Sequence, residues 1–477
     1  MVVLGALRLM TAYTSYLVLS ARLPQKILQL HQKYGSVIRI GPDRLVFNTV
    51  TAFQDIYQSD QVTKSYTYLS TTKKNIVNVF TALDNEVHRS KRAVVGQAVT
   101  DRALREFQPS MMEQIDIYLG QIRESSRSST PVNMTEKSRH LSLDTVGQLA
   151  FGYDLGVQKR DDNRYIMRAM YFGNYRGNIY HHLFFLSRLY VNKIFDYVFY
   201  QAREKYWRLV ECMIQKRLAE DRHARPDFYS FVLDTMSADP DGLRGGALWM
   251  EALFFLAAGG DTVATGTSAA FFYLAHNPEC YRTLAREIRS AFDSEEDIKA
   301  GPRLSGCTYL RACIEEALRM SPPVSTTLWR EKDPLDHNPL VIDGHVIPHG
   351  TLIGVNTYAF HQNEQYFPQP FTFRPERWLD NADNEGARKV SRVAFSAFSI
   401  GPRGCAGKSM AYLEISLALA KTLWSFDFER APGRLGDVGG GKPGAANGRV
   451  RPSEYQIHDI FTARHDGPYL VFRPRAG

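Results

Sequence analysis

Apolar residues recur along this chain at helical spacing over long stretches, most extensively from about Arg102 to Arg222, where few Gly or Pro interrupt. Shorter helical patterns run from Met250 to Tyr273, from Thr308 to Met320 and from Met410 to Leu423; the second is stopped by Pro322-Pro323. Two regions break the period. Val37 to Phe47 is rich in β-branched residues and split by Gly41-Pro42, which predicts a small hairpin, and Leu340 to Val355 reads as strand between proline-marked turns. Pro432 to Pro452 is rich in Gly, Pro and Asn and predicts a solvated loop before the final strands. With no internal repeat and no linker, the pattern predicts one mainly α domain over residues 31–477, with a small β-rich subdomain near its start.

Residues 1–30 stand apart. Val2 to Leu7 and Leu17 to Leu19 are apolar, but Arg8, Thr11, Thr14 and Ser15 interrupt them, so the segment falls short of the roughly 20 apolar residues a membrane span needs. An interfacial or packed helix, a possible remnant of a membrane anchor, is the expectation. The Met250–Tyr273 pattern is long enough to span, yet it holds Glu251 and Asp261. A carboxylate at mid-bilayer costs roughly 2.5–3.5 kcal/mol, which favours a helix through a globular core.

Composition narrows the function. A hydrophobic share of 44% and a charged share of 23% over 477 residues describe a chain that forms a core. Five cysteines, odd in number and without Cys-x-x-Cys spacing, argue against a disulfide framework or zinc site and for a reducing compartment. The net charge of +8 is spread out and not gathered into basic runs interleaved with aromatics, so nucleic acid is not the expected partner. A basic patch facing an acidic redox partner or anionic lipid suits it better. Gly439 to Gly444 matches Gly-x-Gly-x-x-Gly but lies in a late loop with Pro443 where a helix should open, and Gly407-Lys408-Ser409 lacks the first glycine of a phosphate loop, which falls at Pro402.

The candidate chemistry centres on Phe398-Ser399-Ile400-Gly401-Pro402-Arg403-Gly404-Cys405-Ala406-Gly407. Gly401 and Gly404 permit a tight turn, Arg403 sits two residues before the thiol, and a helix follows whose N-terminal N–H groups should face the sulfur and lower its pKa. That arrangement suits a thiolate ligand to haem iron, the ligation that favours O–O cleavage. A lone cysteine is more often a small buried hydrophobe. Here the spacing Phe-x-x-Gly-x-Arg-x-Cys-x-Gly fixes five positions at once. The chain resembles the cytochrome P-450 superfamily, the haem-thiolate monooxygenases, in its fungal secondary-metabolism form, from about His31 to the end.

The resemblance implies haem b held by Cys405, with Phe398 and Gly401 shaping the loop. Arg403, Arg92, His88 and Arg330 are implied as propionate contacts, although the family more often carries Trp at the His88 position. Ala258-Gly259-Gly260-Asp261-Thr262 matches the family's Ala/Gly-Gly-x-Asp/Glu-Thr pattern, which implies that Asp261 and Thr262 relay protons for O–O cleavage; a Thr262 hydroxyl bonded back to its own helix is the competing reading. Gly259 and Gly260 each cost up to about 1 kcal/mol relative to Ala in a helix, so the expectation is that dioxygen and haem approach the backbone there. Glu316, Arg319 and Arg377 match a buried scaffolding triad. Tyr66 to Ala82, Phe254, Phe255, Ala258 and Val324 to Leu328 are implied as the substrate pocket, mainly apolar with a few hydroxyls.

The implied reaction inserts one oxygen atom from dioxygen into an apolar organic molecule. Electrons come from a separate NADPH-dependent reductase, since no credible flavin or nicotinamide motif is present. The same resemblance implies association with the endoplasmic reticulum membrane at its cytosolic face. Two alternatives stay open at this point: a haem-thiolate oxidase that couples phenols, desaturates or rearranges without net oxygen insertion, and a non-catalytic haem-binding protein.

Overall fold

A 30-residue helix, Ala247–His276, forms the axis of the computed structural model, which describes residues 2–72, 76–188, 197–221, 227, 229, 246–380 and 385–475. Its apolar character on all sides has a packing reason. Helices Met134–Phe151, Thr308–Met320, Pro278–Ala291 and Lys408–Ser425 all lie against it, and its Phe271, Phe272, Tyr273 and Leu274 are buried in the main core. The long periodic stretch resolves into helices Asp101–Arg127, Met134–Phe151, Tyr165–His182 and Tyr200–Ala219; its residues 189–196 and 222 lie outside the described residues.

The helix Ala247–His276 runs unbroken through Gly259 and Gly260, and the close approach that the two glycines announce is made on one side by a neighbouring helix, while Gly259 also lines the cavity above the Cys405 loop. A Cβ on Gly260 would sit 2.6 Å from Leu143 Cδ2, and one on Gly259 would sit 2.7 Å from Val146 Cγ2. Both belong to helix Met134–Phe151, so the glycine pair lets two helices cross at close range.

Among the described residues the strands form three small sheets. β1 (Val37–Gly41) and β2 (Arg44–Phe47) make the expected hairpin, with Val37 opposite Phe47. β8 (Leu352–Val355) runs parallel to β2, and β5 (Arg330–Lys332) and β3 (Val62–Lys64) complete the order β1-β2-β8-β5-β3. The strand-like region Leu340 to Val355 is therefore split: β6 (Val341–Ile342) and β7 (His345–Val346) form their own two-stranded sheet. β4 (Val132–Asn133), β10 (Tyr469–Pro474) and β9 (Phe426–Arg430) make the third. After the Gly/Pro-rich stretch the described residues form one strand, β10, and an isolated bridge between His458 and Arg464, where more than one strand was the expectation. The short side of that bridge leaves residues 459–463 as a turn directed inward.

Glu316 is buried between two arginines. Arg319 Nε and Nη2 donate to it at 2.9 and 3.0 Å, Arg377 Nε at 2.9 Å and Trp378 Nε1 at 3.0 Å. Burial pushes its carboxyl up, but the two guanidiniums outweigh that and hold it below the ordinary glutamate value. Arg319 also donates to the carbonyls of His361 and Pro370, which ties the helix Thr308–Met320 to the segment leading into the thiol loop.

Candidate haem-thiolate site

Cys405 is placed by a loop whose shape its glycines set. Gly404 N–H donates to Gly401 O at 3.0 Å and Cys405 N–H to Phe398 O at 2.8 Å. Gly401 has φ +70°, and a Cβ there would collide with the Tyr57 carbonyl oxygen, so neither the angle nor the space admits another residue. Helix Lys408–Ser425 starts three residues after the thiol. Phe398 packs its ring 5.0 Å from that of Tyr412 on this helix and lines the cavity above the loop.

The cavity has a volume of about 430 Å3 and brings together Cys405, Phe398, Arg403, His88 and Arg92 with Ala258, Gly259 and Thr262 of the long helix. Cys405 is open to it, yet enclosed enough that burial pushes its thiol above the ordinary value. The Gly407 N–H, Arg92 and Lys408 pull the other way without winning. This corrects the expectation of a lowered pKa: the helix start does supply a donor, but losing water disfavours the thiolate more. A coordinated metal cation deprotonates such a thiol outright.

The cations behave differently from one another. Helix Asn85–Ala98, capped by Asp84 Oδ1 on the N–H groups of Glu86 and Val87, carries His88 and Arg92 one turn apart. Arg92 Nη1 donates to Gly404 O at 2.7 Å. Arg403 donates to Ala82 O at 2.5 Å, Leu83 O at 2.7 Å and Asn85 Oδ1 at 3.0 Å, and so fastens the thiol loop to the segment before that helix. His88 is buried and its imidazole is pushed down to about 3, first by burial and then by Arg403, Lys64, Arg92 and Arg330. Arg330 is buried behind the cavity wall, its guanidinium carbon 4.9 Å from the Tyr57 ring centroid and Nη1 3.3 Å from Tyr68 Oη.

Lys64 is the cation that sequence reasoning missed. It lines the cavity from β3, donates to Phe80 O, and holds Nζ 3.9 Å from the Phe80 ring centroid and 4.7 Å from that of Tyr68. Burial, then Arg330, Arg403 and Arg92, lower its pKa well below the lysine value. A cysteine that opens into an apolar cavity and a rim of four cations would fit haem: Cys405 would hold the iron, and the cations would meet its carboxylates.

Asp261 is 4% exposed and lies behind the wall, its Oδ1 3.0 Å from Arg139 Nη2 and its Oδ2 2.9 Å from Asn174 Nδ2 and 3.4 Å from Thr462 Oγ1. Thr262 lines the cavity, and its hydroxyl donates to Ala258 O at 2.6 Å. Among the segments assigned to the pocket, Tyr68, Val79, Phe80, Phe254, Phe255 and Leu328 line it; Ser325, Thr326 and Thr327 do not, and residues 73–75 lie outside the described residues. Asn174, His181, Phe461 and Thr462 also line it, and no local pattern marks them in the sequence.

The family model for Cytochrome P-450 matches residues 10–436. The chain belongs to the cytochrome P-450 family. Similar proteins include the cytochrome P-450 monooxygenase AKT7 of Alternaria alternata, 33% identical over 98% of this chain and 91% of the relative. The monooxygenase apf7 of Gibberella fujikuroi is 33% identical over 94% of this chain and 88% of its own length, and poxM of Penicillium oxalicum is 32% identical over 98% and 88%. This cytochrome P-450 is thus an enzyme with the family's haem-iron cofactor, which removes the non-catalytic reading. Among the described residues no helix is long and apolar enough to cross a membrane.

Proposed function

We propose that this cytochrome P-450 inserts one oxygen atom from dioxygen into an apolar organic substrate, a fungal secondary metabolite, using electrons from a separate NADPH-dependent reductase. The observation that carries the reading is that Cys405 and Thr262 line one cavity whose walls are largely aromatic and aliphatic. Haem bound there supplies dioxygen activation and O–O cleavage. Cys405 is the iron ligand, within a loop set by Phe398 and Gly401. Arg92, Arg403, Arg330 and Lys64 provide the positive rim for the carboxylates, Arg330 from behind the cavity wall, and His88 stands beside them as a neutral hydrogen-bonding ring. Asp261 supplies protons and Thr262 orients them at the cavity wall; the Thr262 hydroxyl must leave Ala258 O to donate into the cavity.

We assign residues 31–477 to one haem-thiolate domain and residues 1–30, which hold helix Val2–Leu19 and the start of the core-packed helix Leu23–Tyr34, to a segment whose outer face meets the cytosolic face of the endoplasmic reticulum. Exposed Tyr13, Tyr16 and Leu19, with Arg22 and Lys26 against the two tyrosine rings, support contact with lipid headgroups.

Reduced protein treated with carbon monoxide tests the ligand: the red-shifted Soret band of thiolate ligation is expected, and Cys405→Ala should lose both band and haem. Incubation with reductase, NADPH and isotopically heavy dioxygen tests the reaction: product carrying one heavy oxygen is expected, and an oxidised product with none would replace insertion by coupling or desaturation.

A further inference from the structure

Among the described residues, Asn174 and Thr462 both contact Asp261 and line the cavity that Asp261 itself does not reach. They differ chemically. An amide N–H donates but does not pass its proton on, whereas a hydroxyl accepts at a lone pair while releasing its own hydrogen. Thr262, next to Asp261 on the same helix, has its hydroxyl hydrogen engaged by Ala258 O at 2.6 Å. The Thr462 hydroxyl instead donates to Asp261 Oδ2 at 3.4 Å, so the hydroxyl in direct contact with both the carboxylate and the cavity belongs to a distant turn.

That turn is held in a costly shape. Phe461 has φ +82°, a left-handed conformation that a bulky residue rarely adopts and that surrounding structure must impose. Its N–H donates to Asp459 Oδ1 at 3.2 Å, Asn178 Nδ2 donates to Asp459 O at 3.0 Å, and Asn174 Nδ2 donates to Thr462 Oγ1 at 2.5 Å. Asn174 and Asn178 lie one turn apart on helix Tyr165–His182, so one helix face clamps both ends of the turn. The Phe461 ring closes the same corner, edge-on to Phe80 and His181 at 5.6 and 5.4 Å.

We propose that Thr462 is a proton-relay residue of this cytochrome P-450, carrying protons from Asp261 into the cavity in addition to Thr262. The proposal rests on the reading of Asp261 as the proton source. In each transfer the Thr462 hydroxyl, which donates to Asp261 Oδ2 at rest, turns its hydrogen to a water or oxygen acceptor in the cavity and accepts the proton of the Asp261 carboxyl at Oγ1 as its own leaves. Thr462 ends neutral. The carboxylate left behind is held by Arg139, whose side chain is 20% exposed, and regains a proton from solvent water that reaches it beside that side chain; the guanidinium itself carries none.

The test uses the full haem-loaded chain with reductase and NADPH, and dioxygen alone as the probe. Two electrons and two protons turn dioxygen into peroxide; four of each turn it into two waters. Thr462→Val should raise the peroxide released per dioxygen consumed severalfold and change the solvent isotope effect on that ratio, and Thr462→Ser should restore both. Thr462→Ala, which also lacks the hydroxyl, makes the same measurement if the valine variant fails to fold. In the apoprotein, with no turnover, Thr462→Val should shift the Asp261 carboxylate infrared band, identified by its disappearance in Asp261→Asn. An unchanged ratio in Thr462→Val beside a raised one in Asp261→Asn overturns this inference and leaves the Asp261 reading intact. An unshifted infrared band in the folded variant also overturns it. If Asp261→Asn and Thr262→Ala both keep the parent ratio, the two readings fall together.

Discussion

Lys64 and Arg330 are register partners across the antiparallel pair β3–β5, two buried cations directly opposite each other. Like charges so placed destabilise a sheet, and the carbonyl and phenol groups around them do not neutralise either one. Haem carboxylates would. Lys64→Met should therefore speed loss of haem to excess apomyoglobin by about tenfold, the equivalent of one weak charge-assisted hydrogen bond. The apoprotein should respond in the opposite sense. A lysine whose folded pKa lies below 10.5 binds fewer protons folded than unfolded, so apoprotein stability falls as pH drops from 10.5 through the folded value. Denaturant midpoints against pH should show that slope in the parent and lose it in Lys64→Met.

The glycine pair of the long helix gives a second expectation. Gly260→Ala places a methyl 2.6 Å from Leu143 Cδ2, and overpacking of this kind costs about 1–3 kcal/mol. Leu143→Val removes the colliding carbon. The double variant should recover most of the loss, which a double-mutant cycle on denaturant midpoints would measure. Strict additivity would mean that the two side chains do not meet.

What could be read from sequence divides along the same line. The thiol loop was legible because Phe398, Gly401, Arg403 and Cys405 constrain one another within a single turn, and helices such as Thr308–Met320 because period and Pro322-Pro323 act locally. Gly259 and Gly260 announced a close neighbour but not its identity, since Leu143 and Val146 arrive from another helix. Lys64 joins the cationic rim only through strand pairing with Arg330, and Thr462 meets Asp261 only because a strained turn folds back across the cavity. Such contacts carry no spacing rule. The direction of the Cys405 shift was missed for a related reason: burial is set by the whole fold, whereas the helix start is visible in the motif.

Removing the carboxylate charge at Glu316 should be among the most damaging changes away from the thiol. Glu316→Gln leaves Arg319 and Arg377 buried without a counter-charge, a situation that costs about 3–5 kcal/mol. Arg377→Lys should be milder only in charge, because the lysine cannot replace the Nη contacts with Pro368 O. Both variants are expected to give little folded protein at growth temperature, read as haem-loaded yield and as the denaturation midpoint of what remains. A Glu316→Gln protein with parent-like stability would remove the triad from its scaffolding role.

Acid should unfold this enzyme through its buried imidazoles. His88, His181, His361 and His465 are all pushed down to about 3, in each case first by burial, with neighbouring cations adding to it. Each folded value lies below the unfolded 6.5, so the unfolded chain binds the extra protons first. The stability these neutral rings contribute is fully present above pH 6.5 and is lost as pH falls from there through about 3. His181 shows why the ring must stay neutral: Nε2 lies 2.9 Å from Thr327 O and Nδ1 3.3 Å from Thr67 Oγ1, in a pocket edge shared with Arg44, Arg330 and Lys64. A His181→Gln variant keeps an amide donor and does not titrate. Its denaturant midpoint should fall less steeply than the parent's between pH 6.5 and 4, and equal slopes would show that His181 does not take up a proton on unfolding.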